Sequence, residues 1–134
     1  MHPKYQRANE LSREVIGAAI EVHRDKGPGL LESIYEKCLM RELQLRKIES
    51  CKQVPVEIEY KGLVFDDELK LDVVVENCLI IELKVVTEIL PIHKAQLLSY
   101  MKLLDMPLGL LINFHELKLV DGISRMILPM ADQP

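Results

Sequence analysis

Between positions 72 and 84 the chain reads DVVVENCLIIELK, and inside its two apolar runs stand two carboxylates, Asp72 and Glu82, and an ammonium, Lys84. Side chains alternate across a strand, so Glu82 and Lys84 share one face while Ile81, Leu83 and Val85 take the other. Whether Asp72 joins them depends on the turn between Val75 and Cys78. A two-residue turn at Glu76-Asn77 pairs Asp72 with Ile81 and sends its carboxylate to the far face, burying an unpaired acid. A three-residue turn over Glu76 to Cys78 sets Asp72 opposite Glu82, and one over Val75 to Asn77 sets it one pair diagonally off. The odd turn is therefore expected, with Asn77 or Cys78 in a bulge, and Asn tolerates a left-handed backbone best. In that geometry two carboxylates converge with a lysine. Their hard oxygens suit Mg²⁺ or Mn²⁺, which can polarise a phosphate and acidify a bound water, while Lys84 orients that water or neutralises developing charge. The simpler reading of the same triple is a cross-strand salt bridge from Lys84 to Asp72 or Glu82, a common surface feature of little energetic worth.

The elements that must position these residues follow from the apolar spacing. Leu11, Val15, Ala18, Ala19 and Val22 recur at helical intervals, and Gly27-Pro28 is a plausible stop. Leu31, Ile34, Cys38, Leu39 and Leu43 mark a second helix after a short break over Gly27 to Gly29. From Gln53 to Gly62 the period becomes two, with Val54, Val56, Ile58 and Tyr60 alternating against Glu57, Glu59 and Lys61, a half-exposed strand. LVFDDELKLDVVV and CLIIELKVV read as two more strands, the second apolar on both faces up to Glu82, as a covered central strand is. Pro91 opens a third helix, LGLLINF is a further buried strand, and Asp121-Gly122 inside LKLVDGISRMIL is a hairpin signal. The expected order is ααβββαββ, an α/β fold with a mixed central sheet flanked by helices, in one domain over residues 1–134 with its core at about 10–128.

The totals bound the rest. A chain of 134 residues, 49% hydrophobic and 28% charged, is a globular domain large enough to hold its shape without disulfide or metal, so any metal would be functional. Cys38, Cys51 and Cys78 are odd in number and lack Cys-x-x-Cys spacing, so they read as reduced thiols and place the chain in the cytoplasm. No signal-like segment opens the chain, and no apolar run approaches the roughly 20 residues that cross a bilayer. A net charge of −4 argues against coating nucleic acid by bulk electrostatics but leaves room for a local basic cleft.

GPGLLESIYEKCLMREL resembles the GxxExxY family through Gly29, Glu32 and Tyr35. VHRDKGPG, VPVEIEYKG, LDVVVENCLIIELKVV, PIHKAQLLSYMKLLDMPLGLLINF and LKLVDGISRMIL extend the likeness over roughly 13–128. That family is assigned to the PD-(D/E)XK nuclease superfamily, and the resemblance implies a restriction-endonuclease-like core with its site on a strand hairpin. It maps the superfamily motif onto Asp72 and Glu82-Leu83-Lys84, with Asp72, Glu82, the Leu83 carbonyl and Glu32, an additional helical acid, as metal ligands. Gln96 and Tyr100 match a Gln-x-x-x-Tyr element of the exonuclease-like branch, and their i, i+4 spacing puts both on one helix face. The alternative for that pair is that Gln96 caps a sheet edge and Tyr100 packs. One departure is the acidic FDDELKLD before Asp72, where Lys70 can stand for a basic residue and Asp66, Asp67 and Glu68 form a solvated turn. His23 can face the cleft beside Glu32 or cap and pack; His93 and His115 read as surface or loop residues.

The function expected is a Mg²⁺- or Mn²⁺-dependent nuclease hydrolysing phosphodiester bonds of DNA or RNA, carried by Glu32, Asp72, Glu82, Lys84, Gln96 and Tyr100. The alternative is a catalytically idle module of the same fold that binds nucleic acid or a protein partner. Dimerisation through an open sheet edge at the C-terminal hairpin is compatible with either, and no membrane role is indicated.

Overall fold

A computed structural model describes all residues, 1–134, and contains three helices and seven strands. Helix α1 (Tyr5–Lys26) and helix α2 (Glu32–Leu45) precede strands β1 (Ser50–Pro55), β2 (Ile58–Tyr60), β3 (Leu63–Phe65), β4 (Lys70–Val75) and β5 (Leu79–Lys84). Helix α3 (Pro91–Leu104), strand β6 (Leu108–Asn113), a 3₁₀ turn at Leu119–Gly122 and strand β7 (Ile123–Ile127) complete the chain. Five strands form one sheet in the order β1-β4-β5-β6-β7, while β2 and β3 form a separate hairpin. Only the β5–β6 pair is parallel, joined through α3, as a parallel connection requires a crossover.

The alternation of the strands sorts the core into two layers. Val73, Val75, Leu79, Ile81 and Leu83 face α1 and α2, packing on Val15, Ala19, Tyr35 and Leu39. Val74, Ile80 and Leu111 face α3, packing on Leu97 and Met101. Helices thus cover both faces of a mixed sheet, the α/β restriction-endonuclease-like arrangement that the resemblance implied.

Two strand assignments are corrected. The alternating run from Gln53 to Gly62 is not one strand: β1 begins earlier, at Ser50, and ends at Pro55, which cannot donate to a ladder. LVFDDELKLDVVV is likewise divided, with exposed Asp66, Asp67 and Glu68 between β3 and β4. Five strands rather than three therefore precede α3. The Asp121-Gly122 hairpin is also absent. That dipeptide closes the 3₁₀ turn, and β7 pairs instead with β6, Ile112 opposite Ile123. Gly122 is close-packed there: a Cβ would lie 2.7 Å from the Asn113 carbonyl oxygen.

The β4–β5 turn has the odd length. Val75 pairs with Leu79 and Val73 with Ile81, leaving Glu76, Asn77 and Cys78 between the strands. Glu76 and Asn77 are both left-handed, at φ 46° and 54°. Helix α1 holds this turn from outside: Arg7 donates to both Glu76 carboxylate oxygens, at 3.0 and 2.8 Å, and Lys4 Nζ donates to the Asn77 carbonyl at 2.8 Å. The Arg7 guanidinium lowers the Glu76 pKa accordingly.

Candidate active site

Continuing the β4–β5 register one step beyond Val73 and Ile81 brings Asp72 beside Glu82. Glu82 shares the α3 face with Ile80 and Leu111, whereas alternation breaks at Asp72, because Leu71 and Val74 both pack on the α3 side, and Asp72 acts on Glu32 of α2 as well as on Tyr100 of α3. Here the ladder gives way to side chains. Asp72 Oδ2 accepts the Leu83 backbone N–H at 2.8 Å, and Glu82 Oε1 accepts the Asp72 backbone N–H at 3.3 Å. The neighbouring edge strand is irregular at the same point. Gln53, opposite Asp72, is left-handed at φ 51°, and the β1–β4 pairing passes from Lys52–Val73 to Val54–Leu71 without it. Because the N–H of Leu83 points toward β4, its carbonyl points the same way, along the edge that carries the Asp72 carboxylate.

Glu82 is only 8% exposed. Burial, and then the charge of Asp72, push its pKa up to about 8, against the opposing pull of Lys84. Lys84 is half-buried and shares the face, yet forms no salt bridge with either acid; the ion pairs of the molecule lie elsewhere. The cross-strand salt bridge that was the simpler reading is therefore not what these residues make.

Two elements bring further groups to the pair. Glu32 is the first residue of α2, and its pKa is raised by partial burial, by Asp72 and by Glu36, and lowered by Lys84. Tyr100, half-buried on α3, has its pKa raised by burial and then by Glu82 and Asp72. Gln96 stands one turn earlier on the same helix and is exposed. Asp72, Glu82, Lys84, Glu32 and Tyr100 thus act on one another electrostatically. No three acidic, histidine or cysteine side chains are close enough to form a ready cage for an ion.

The Gly29, Glu32, Tyr35 pattern has a local physical meaning. Gly27 and Gly29 adopt φ of 69° and 97°, bending the chain between α1 and α2. Tyr35 closes that bend: its hydroxyl donates to the Gly27 carbonyl at 2.5 Å and accepts the Leu30 N–H at 3.1 Å, while its ring stacks on Phe114 at 4.5 Å. The tyrosine fixes where α2 starts, and Glu32 is at that start.

Three supporting residues escaped the sequence. Gln53 Nε2 donates to Glu36 Oε2 at 2.8 Å, tying the irregular point of β1 to a carboxylate only 9% exposed on α2. Asn113, fully buried and opposite Lys84, accepts the N–H of Val86 at 3.1 Å and donates to its carbonyl at 2.8 Å, holding the segment after Lys84. A polar residue closing the apolar run LGLLIN was the one available signal for Asn113. A left-handed Gln inside a strand leaves none. Of the histidines, His23 packs near Phe114 and bonds the Glu116 carbonyl at 2.8 Å, so it is a packing residue. His93 is not a loop residue: it lies in the first turn of α3, where its Nδ1 accepts the Leu90 N–H at 3.0 Å. His115 is exposed.

A family model described as PD-(D/E)XK nuclease superfamily matches residues 9–126. No curated protein and no solved structure matched the chain.

Proposed function

The chain belongs to the PD-(D/E)XK nuclease superfamily, and from that premise we propose that it is a Mg²⁺- or Mn²⁺-dependent nuclease of the GxxExxY type, hydrolysing phosphodiester bonds in DNA or RNA. The observation that carries this reading is the Asp72–Glu82 pair: two carboxylates side by side, one nearly buried and pushed toward protonation by the other, with the adjacent ammonium not bridging them. Such a set of oxygen donors, unpaired in any salt bridge, fits a hard divalent cation, whose charge would favour the ionised form of Glu82. Asp72, Glu82 and the Leu83 carbonyl would hold that cation, with Glu32 as a further acid. When bound, it supplies Lewis-acid polarisation of the phosphate and a more acidic water.

The chain's own groups divide the remaining work. Lys84 places an ammonium on the carboxylate face, where it can orient the attacking water and offset charge gathering on the phosphate. The Tyr100 hydroxyl stays protonated well into alkaline pH, because its pKa is raised, and so remains a donor to a phosphate oxygen. Gln96, one turn away, offers an amide donor at the rim. The test is cleavage of single- and double-stranded DNA and RNA with Mg²⁺ or Mn²⁺. Parent activity lost in Glu82→Ala and in Lys84→Ala supports the reading, and equal activity in all three sinks it.

One observation favours the second reading, a non-cleaving module that binds nucleic acid or a protein partner: no three acidic, histidine or cysteine side chains stand close enough together to hold an ion. Binding without Glu82-dependent cleavage would select it. We take residues 1–134 as one domain and place the chain in the cytoplasm, a reading supported by its three free cysteines. Strand β7 is a sheet edge and supports dimerisation by strand pairing.

A further inference from the structure

We propose that the groove between α2 and the edge strand β1 is the track on which the phosphodiester backbone of the substrate lies as it leaves the carboxylate pair, an inference that rests on the nuclease reading above. The groove encloses about 650 Å³, and Lys37, Arg41, Lys47 and Lys52 line it against a single acid, Glu49. None of these four cations forms a salt bridge, whereas Arg7, Arg24, Lys26 and Arg46 are each paired with a carboxylate. Arg41 is held by a neutral partner, donating to Gln44 Oε1 at 3.0 Å, so its direction is fixed while its charge stays free. In a chain whose net charge is −4, four cations outside any ion pair, against one acid, make this groove locally basic, although Lys37 and Arg41 also border Glu21, Asp25 and Glu42 on the α1 side.

The groove is aligned with the site. Lys37, Arg41 and Gln44 form one stripe along α2, spanning about 10 Å, the length of about three phosphates at B-form spacing on one strand. Lys47 is brought to the far end by its left-handed backbone, φ 59°. At the near end Lys37 follows Glu36 and Lys52 precedes Gln53, the two residues whose side chains bond beside Asp72. A backbone strand running from the carboxylate pair past Glu32 therefore meets the cations in sequence. Ion pairing to phosphates releases counterions, so this track should dominate the salt dependence of binding.

The experiment measures binding of a fluorescently labelled oligonucleotide, as single-stranded DNA, duplex DNA and RNA, in EDTA over a series of salt concentrations. Lys37→Gln/Lys47→Gln/Lys52→Gln is compared with Arg13→Gln/Lys102→Gln/Lys118→Gln, which removes the same charge elsewhere. The groove variant should lower the slope of log affinity against log salt by about 2 and weaken low-salt binding about tenfold or more, with the control near the parent. Equal losses in both variants, no loss in the groove variant, or no binding by the parent would overturn the track. Parallel Mg²⁺ cleavage assays separate the two claims. Glu82-dependent cleavage with an unaffected groove variant leaves the nuclease reading and removes the track. A weakened groove variant of a parent that never cleaves keeps the track and removes the nuclease.

Discussion

Glu82 Oε1 lies 3.3 Å from the backbone nitrogen of Asp72, while the Asp72 carboxylate lies 2.8 Å from the backbone nitrogen of Leu83. The two acids thus replace the backbone ladder at the point where β4 and β5 part, each carboxylate serving the other strand. They are held close by main-chain bonds that do not depend on a cation, which preorganises the pair.

Burial of Glu82, and then the charge of Asp72, predict a pH-dependent stability. The Glu82 pKa stands above the ordinary carboxyl value of 4.5, at about 8. Its stabilising contribution is therefore complete below pH 4.5 and is lost as pH rises through about 8. In EDTA at pH 9, Glu82→Gln should melt several degrees above the parent, on the order of a few kcal/mol. At pH 4 the two should melt together. Millimolar Mn²⁺ should raise the parent at pH 9 and leave the variant unmoved.

Gln53→Ala removes the only described partner of a nearly buried Glu36 carboxylate and leaves a left-handed Ala in β1. A loss of about 1–3 kcal/mol in urea unfolding is expected. Gln53→Gly relieves the backbone but not the carboxylate, so it should be the milder of the two.

Tyr35→Phe keeps the stack on Phe114 and deletes both hydroxyl bonds to the Gly27–Leu30 bend. We expect a stability loss of about 1–2 kcal/mol. Cleavage should fall further than that loss explains, because the start of α2, and Glu32 with it, loses its tether. Hydrogen exchange at Leu30 to Ile34 reads the loosening directly.

Asn113→Ala leaves the Val86 amide and carbonyl without their partner next to Lys84. A cost of about 2–3 kcal/mol is expected, measured by thermal and urea unfolding. Asn113→Asp should rescue the accepted bond and not the donated one.

How far the sequence reached is instructive residue by residue. Period-two alternation and the cost of a stranded acid were enough to place Asp72 with Glu82 and to require an odd turn, because a one-residue slip would have inverted the face. Pro91 and Gly27 marked helix boundaries through backbone geometry alone. The break at Pro55 was missed because alternation continued through it, the solvated turn read at Asp66 to Glu68 is where β3 and β4 part, and Asp121-Gly122 closes a 3₁₀ turn while β7 pairs with β6. At the site, Gln53 and Glu36 were invisible: their roles come from a backbone twist and from packing between α2 and β1, neither of which has a sequence period.

The most direct measurement is an anomalous difference map from a crystal soaked in Mn²⁺. A peak is expected within coordination distance of Asp72, Glu82 and the Leu83 carbonyl, absent in Asp72→Asn/Glu82→Gln. A fully soaked crystal with no peak at the carboxylate pair, or with the same peak in the double variant, would contradict the proposed metal site.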